Sequence, residues 1–392
     1  MTHKITIIGS GASGLVAAIC LARQGHKVTI LESKPRIGQK ILVTGNGRCN
    51  LTNLDIRLDN YHSNTLDIVH NIITRYDNRD VINFFKTMGL FTRNKGNLVY
   101  PLSNKAASVV NILRAALVKY GVTIITDFVV KDVDKYPNGY VIKSVNNDQI
   151  KTEKLIIATG LKAHTGTDIG LKILSKFGHR INKVYPALVQ LRSDDPFVKG
   201  LKGIKFEGEI RVRRGGDILR TERGEILFTD YGVSGIAVMQ VSYLFSLYND
   251  CMLELDFLPD MSLQEVIKNL VYVDEYYKHS PTQIEEYLTG FIDSKLGVRI
   301  TKHTRSTNPI DIAQTIKSLP IKITSHNGYK NAQVCGGGAA LEDFTRALES
   351  KHTTNLYAIG EILDAVGDCG GYNLHWAFAC ALCVADGIRI SS

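Results

Sequence analysis

Residues 4–32 open with Lys4-Ile5-Thr6-Ile7-Ile8-Gly9-Ser10-Gly11-Ala12-Ser13-Gly14 and close with Val28-Thr29-Ile30-Leu31-Glu32. A β-rich run leads straight into a GxGxxG turn. An apolar, Ala-rich helix is expected over Gly14–Gln24, closed by Gly25, with a second strand over Val28–Leu31. Gly9 permits the tight turn, Gly11 lets a pyrophosphate approach the backbone, and Gly14 lets the helix pack closely on the strand. Amides at the helix start, and the helix dipole, favour an anion there. Glu32 follows Gly14 by 18 residues, in position to accept hydrogen bonds from a ribose. A bare GxGxxG is weak evidence; flanked by two strands and followed by an acid, it specifies a bound dinucleotide.

The chain has 392 residues, enough for two or three domains, and an ordinary globular composition. Its longest apolar candidate, Trp376–Ala385, is too short to span a bilayer and reads as a buried helix. The chain enters a strand at once, leaving no room for a signal peptide, so a cytoplasmic location is expected. Seven cysteines, an odd number whose single CxxC spacing lies on an apolar helix, suggest neither a disulfide framework nor a zinc site, and no metal is expected. Cys380 and Cys383 read as core. The net charge of +9 suits an anionic cofactor. Its one dense cluster, Arg211-Val212-Arg213-Arg214, reads as an exposed strand edge. That cluster carries no interleaved aromatic residues, so nucleic-acid binding is not expected.

Residues 1–185 alternate strands and helices. Leu66–Met88 and Lys105–Tyr120 read as helices, Val122–Val130 and Leu155–Ala158 as strands, and Pro137-Asn138-Gly139 as a hairpin turn. Residues 188–258 are strand-rich. Residues 262–305 read as helical, with Tyr272, Tyr276, Tyr277 and Tyr287 as a packing stripe. The βα pattern resumes at Cys335. An interrupted pattern implies an insertion, so the last 58 residues are expected to rejoin the first 185 in one sheet.

Near the end, Asn355–Gly360 reads as a strand ending in glycine, followed by Glu361 and Asp364. Gly370-Gly371-Tyr372-Asn373-Leu374 and a helix over His375–Ile388 come next. A strand-terminal glycine with nearby acids suits ribityl hydroxyls. A helix start aimed at the pyrimidine edge of an isoalloxazine stabilises negative charge on the ring. This element moves the expected cofactor from NAD to FAD. Gly336-Gly337-Gly338 has the wrong spacing for a second dinucleotide turn, so NADH or NADPH is expected only as a transient electron donor.

Four segments carry a resemblance to a known family. They are the N-terminal fingerprint, Thr44-Gly45-Asn46-Gly47-Arg48-Cys49-Asn50-Leu51-Thr52-Asn53, Gly224–Gly235 and Gly360–Phe378. On these the chain resembles the YhiN-type flavoproteins, known as aminoacetone-oxidase-like or NAD(P)/FAD-dependent oxidoreductases, which include a bile-acid-dehydroxylation flavoprotein. The resemblance implies an α/β fold: a Rossmann-like FAD-binding domain over 1–187 and 335–392, an inserted β-barrel domain over 188–258 and 307–334, and a helical subdomain over 259–306. It also lays Thr44–Asn50 along the flavin. Departures from the family pattern fall at Asn46, Leu161, the loop Lys162–Gly170, Asp230, Ile236 and His375, on the expected substrate side.

The expected cofactor contacts are Gly9, Ser10, Gly11, Ala12, Ser13, Gly14, Glu32, Ser33, Lys40, Thr44, Gly45, Asn46, Gly47, Arg48, Cys49, Asn50, Val130, Ala158, Thr159, Gly160, Gly360, Glu361, Asp364, Gly371, Tyr372, Asn373 and Leu374. The candidates for catalysis are His375, as donor or acid at a helix start; Asp230, as base or amine ligand; Tyr372, as proton donor or stacking ring; and Arg48, as a cation for substrate or reduced flavin. Cys49 is open as a redox thiol or as packing. Hydride transfer at flavin N5 to or from a small organic molecule is the expected activity, either as a reductase fed by nicotinamide or as an oxygen-using amine oxidase. A non-catalytic flavin module and an RNA-modifying flavoprotein stay open beside it. Monomer and homodimer stay open too.

Overall fold

The computed structural model describes residues 2–163, 167–280 and 283–390. The chain folds as two compact units: residues 1–185 with 333–392, and residues 186–332.

The first unit is built on a five-stranded parallel sheet. Its order is Leu356–Ala358, Lys154–Ile157, Lys4–Ile8, Lys27–Leu31, Thr123–Ile125. Buried parallel strands must be apolar on both faces, and Ile5, Ile7, Ile30, Leu155, Ile156 and Ile157 have essentially no exposure. Register aligns the strand ends: Ile8 pairs with Leu31 and Ile157, and Ile157 pairs with Ala358. The residues just past those ends (Gly9, Glu32, Ala158, Ile359) therefore gather along one edge, where ligands of such sheets bind.

The helix Ala12–Arg23 packs against the C-terminal helix Tyr372–Ile390. Ala17, Ala18, Ala379, Cys380 and Ala381 are all buried, and such small side chains allow two helices to approach closely. Cys380 and Cys383 lie in this core, their thiols pushed up mainly by burial. Among the described residues no helix is long and apolar enough to cross a membrane.

Several expectations need correction. The span Leu66–Met88 is two helices, Leu66–Arg75 and Asn78–Lys86, because Asp77 starts the second with a capping box to Asp80. Val122–Val130 divides into one complete short strand, Thr123–Ile125, and the first residue of another, Val130–Tyr136. The tyrosine stripe fails: Tyr272 and Tyr276 are 72% and 73% exposed, while Tyr277 stacks on Tyr287.

The second unit holds a seven-stranded sheet whose strands pair antiparallel, running from Leu319–Ile321 at one end to Ser325–His326 at the other. A helix that composition did not signal, Ile236–Leu247, lies within the strand-rich region and buries Val238, Val241 and Leu244 in the unit's core. The strand Lys205–Arg214 sits between two others, so its arginines are not on an edge. Arg211 pairs with Glu254 and Asp256, and Arg213 with Glu254, all on the neighbouring strand Met252–Asp256.

Candidate functional site

Along the strand-end edge of the first unit lies a cleft of about 420 Å³. It begins at the glycine turn. Gly9 holds φ +107°, and a Cβ there would meet the Ala158 carbonyl at 2.4 Å; one on Gly14 would meet the Gly9 carbonyl at 2.1 Å. These two glycines are demanded by packing. Gly11 differs: a Cβ there would meet nothing within 4 Å, and the residue lines the cleft. Its missing side chain leaves open space where a pyrophosphate would lie against the helix start.

Glu32 ends the second strand and is held by the turn itself. Its Oε2 accepts from the Ser10 amide (3.0 Å) and the Ser10 hydroxyl. Its Oε1 accepts from the Lys34 amide at 2.8 Å and the Ser33 hydroxyl at 3.3 Å. Its backbone carbonyl accepts from Phe128 at 2.9 Å, which brings Phe128, Val129 and Val130 to the same end of the cleft.

Further along, Lys40 and Glu361 form an ion pair at 2.6 Å, and both line the cleft. Glu361 also accepts from the Cys335 amide at 3.0 Å. Gly360 (φ +76°) packs so tightly that a Cβ would meet the Ser13 hydroxyl at 2.7 Å. The start of the C-terminal helix closes this end with Asn373, Leu374 and Trp376, whose indole donates to the Gly360 carbonyl at 3.2 Å.

Of the residues expected against the cofactor, Gly9–Ser13, Glu32, Ser33, Lys40, Thr44, Val130, Ala158–Gly160, Glu361, Asn373 and Leu374 line the cleft. The others stand outside its lining. Asp364 is buried, with Asn64 and Asn182 donating to its Oδ2 at 3.0 and 2.6 Å, and burial raises its carboxyl pKa. Gly45, Asn46 and Gly47 turn left-handed, as does Cys49. The Cys49 side chain is buried and its thiol is pushed up to about 12 by burial, the profile of an inert cysteine. Asn50 accepts from the Val99 amide at 3.1 Å. Gly371 presses on the Thr52 backbone, where a Cβ would stand 2.8 Å away.

The run Arg48–Asn53 thus anchors the C-terminal helix. Asn53 donates to the Gly370 carbonyl at 2.9 Å, and the Thr52 hydroxyl meets His375 Nδ1 at 2.8 Å. His375 is fully buried, outside the cleft lining, and burial lowers its pKa to about 4. Tyr372 packs edge-on against Tyr61, with its phenol raised by burial. Arg48 is exposed. Asp230, in the second unit, is exposed and pairs with Lys202 at 2.9 Å, whose hydrogen bond lowers its pKa. Residues 164–166 of the loop Lys162–Gly170 lie outside the described residues.

Sequence reasoning missed Lys34, Arg36, Gln39, Phe128 and Trp376 along the cleft. Only Trp376 carried a signal, as the chain's single tryptophan beside the last glycine cluster. Gly337 is buried in the strand Val334–Ala339, where a Cβ would meet the Lys183 carbonyl at 2.1 Å, so close packing accounts for this glycine in the Gly336–Gly338 run.

The cleft fits a flavin dinucleotide: an open glycine turn at a helix start, an acid ending the second strand, and a second helix start at the far end. Comparison with known proteins agrees. Residues 3–387 match the family model described as HI0933-like protein Rossmann domain. The 3-dehydro-bile acid delta(4,6)-reductase of Clostridium scindens is 37% identical, over 96% of this chain and 97% of the relative. The ribosomal RNA dihydrouridine synthase of Haemophilus influenzae is 30% identical, over 97% and 98%. Among solved structures, the 3-ketosteroid delta1-dehydrogenase of Sterolibacterium denitrificans shares the fold at a TM-score of 0.56 and 12% identity, covering 100% of both chains. The chain belongs to the HI0933-like Rossmann family and is an FAD-dependent oxidoreductase.

Proposed function

We propose that this protein reduces a ring carbon–carbon double bond conjugated to a carbonyl, and that the ring is a uracil in RNA. One observation carries the reaction. Two full-length relatives are named for different substrates, a 3-dehydro-bile acid and ribosomal RNA, yet each name describes adding hydrogen across a carbon–carbon double bond. The charge of this chain supports RNA. Residues 1–185 and 333–392 contain 29 Lys and Arg against 19 Asp and Glu, whereas residues 186–332 contain 18 against 19. The cation excess thus belongs wholly to the unit that bears the cleft, and a polyanion is attracted there.

In this reading Gly9–Ser13 hold the pyrophosphate, Glu32 the adenosine ribose, and Lys40 with Glu361 the middle of the cofactor. The start of the C-terminal helix faces the ring. Reduced FAD, when bound, supplies a hydride to the carbon β to the carbonyl. A proton at the α carbon completes the addition, and NADH or NADPH replaces the two electrons. The oxidase alternative fits this chemistry less well, because both relatives are named for reductions.

The test is to incubate the FAD-loaded protein and NADPH with an unmodified ribosomal RNA transcript, then digest it and look for dihydrouridine by mass. The expected result is a gain of two hydrogens at a discrete uridine. The bile-acid relative favours a second reading, a steroid enone, and the same assay with a 3-oxo-4,6-diene steroid decides between them. Neither product under anaerobic, NADPH-reduced conditions would overturn the proposed reaction.

A further inference from the structure

Between Asp80 and Asp127 the chain has no acidic residue and six cations: Lys86, Arg93, Lys95, Lys105, Arg114 and Lys119. All six are exposed, and none forms an ion pair among the described residues. At the centre of this stretch is a hairpin, Thr92–Lys95 with Leu98–Pro101. The Leu102 amide donates to the Phe91 carbonyl at 2.7 Å and extends the ladder by one pair.

Side chains alternate along a strand, and directly opposed residues share a face. Arg93 opposes Tyr100 and Lys95 opposes Leu98. One face therefore presents Phe91, Arg93 and Lys95 beside Leu98, Tyr100 and Leu102. Val99 and Pro101, of the opposite parity, are buried. Phe91 and Leu102 are 56% and 60% exposed and directly opposed, so together they form one apolar patch rather than two scattered side chains. This face adjoins the family's flavin loop: Tyr100 Cε1 lies 3.8 Å from where a Gly45 Cβ would stand, and exposed Arg48 belongs to that loop.

We propose that this hairpin face is the RNA-docking surface of the protein. Phe91 and Tyr100 stack on unpaired bases, while Arg93, Lys95 and Arg48 engage the phosphates. Aromatic rings interleaved with unpaired cations are the pattern that binds single-stranded segments, because every base offers a π-face and every linkage a charge. An apolar partner would leave the cations without a counter-charge, and a purely electrostatic ligand would leave Phe91 and Leu102 in water. This surface rests on the RNA reading of the reaction, which it deepens by saying where the substrate is held.

The experiment uses the FAD-loaded protein and an unmodified ribosomal RNA transcript, with affinity measured by filter binding across a salt series. Flavin absorbance and melting temperature report that each variant is folded. For Arg93→Ala with Lys95→Ala, the slope of log affinity against log salt is expected to shrink by about 1.4, from two lost phosphate contacts on a single strand. Phe91→Ala is expected to weaken binding by roughly tenfold while the salt slope stays unchanged, because a stacked base carries no counterion. Lys295→Ala with Lys302→Ala, exposed cations of the second unit, should leave both quantities as they were. Unchanged affinity and slope in the hairpin variants, or no binding of the wild type at low salt, overturns the surface. Binding that depends on the hairpin without dihydrouridine formation supports the surface and sinks uridine as the ring that is reduced. Dihydrouridine formation indifferent to the hairpin does the reverse.

Discussion

Gly11 and Gly14 look equivalent as letters of one motif, and the structure separates them. A Cβ on Gly14 strikes the Gly9 carbonyl at 2.1 Å, whereas one on Gly11 meets only open cleft. Gly11→Ala should therefore melt like the wild type in the absence of flavin yet purify with less than a tenth of its FAD, measured by absorbance after denaturation. Gly14→Ala should lose stability itself, by about 1–3 kcal/mol, as overpacked sites do. Full FAD content in Gly11→Ala would show that the cleft assignment is wrong, and equal melting temperatures for the two apo variants would overturn the packing argument at Gly14. Cys49 is a similar case. Its thiol is buried and pushed up to about 12, so it should stay silent toward a thiol reagent in the native protein. Cys49→Ala should keep flavin reduction within about twofold while costing roughly 1–2 kcal/mol of stability from the lost sulfur.

At the scale of elements, the start of the C-terminal helix is held from the far side of the sequence. Thr52 and Asn53 bond to His375 and to the Gly370 carbonyl, so the loop that looks like a flavin motif also positions a helix more than 300 residues away. His375 has a measurable signature. Burial lowers its pKa from 6.5 to about 4, so between those values the unfolded chain takes up a proton that the folded chain refuses. The stability gained by burying a neutral ring is present above about pH 6.5 and is lost as pH falls toward about 4. His375→Gln should flatten that part of the stability profile by an amount on the order of 3 kcal/mol, read from urea unfolding at successive pH values. In the second unit, Arg211 sits among Glu209, Glu254 and Asp256. Arg211→Met should destabilise by about 2–4 kcal/mol, since it strands carboxylates with little exposure, without changing affinity for an RNA transcript.

For the whole molecule, charge is distributed by unit rather than by motif. The Arg211–Arg214 cluster is the densest basic run in the chain, yet acids neutralise it. The excess sits in the flavin-bearing unit, on residues scattered singly through the sequence. RNA affinity is accordingly expected to fall steeply between about 50 and 200 mM salt, while FAD content stays constant; a salt-independent affinity would argue for an apolar substrate instead. The sequence by itself determined the nucleotide fold and the position of the glycine turn, because those depend on spacing within some thirty residues: strand, turn, helix, strand, acid. It also marked the terminal glycine cluster that distinguishes a flavin cleft. Tertiary structure alone decided which of the named residues face that cleft. His375, Asp364 and Asn50 are drawn off by partners distant in sequence, and a hydrogen-bond partner 182 or 323 positions away leaves no local trace. Tertiary structure likewise decided which cations are paired and which are free, because an ion pair such as Arg211 with Asp256 forms only once two strands are side by side.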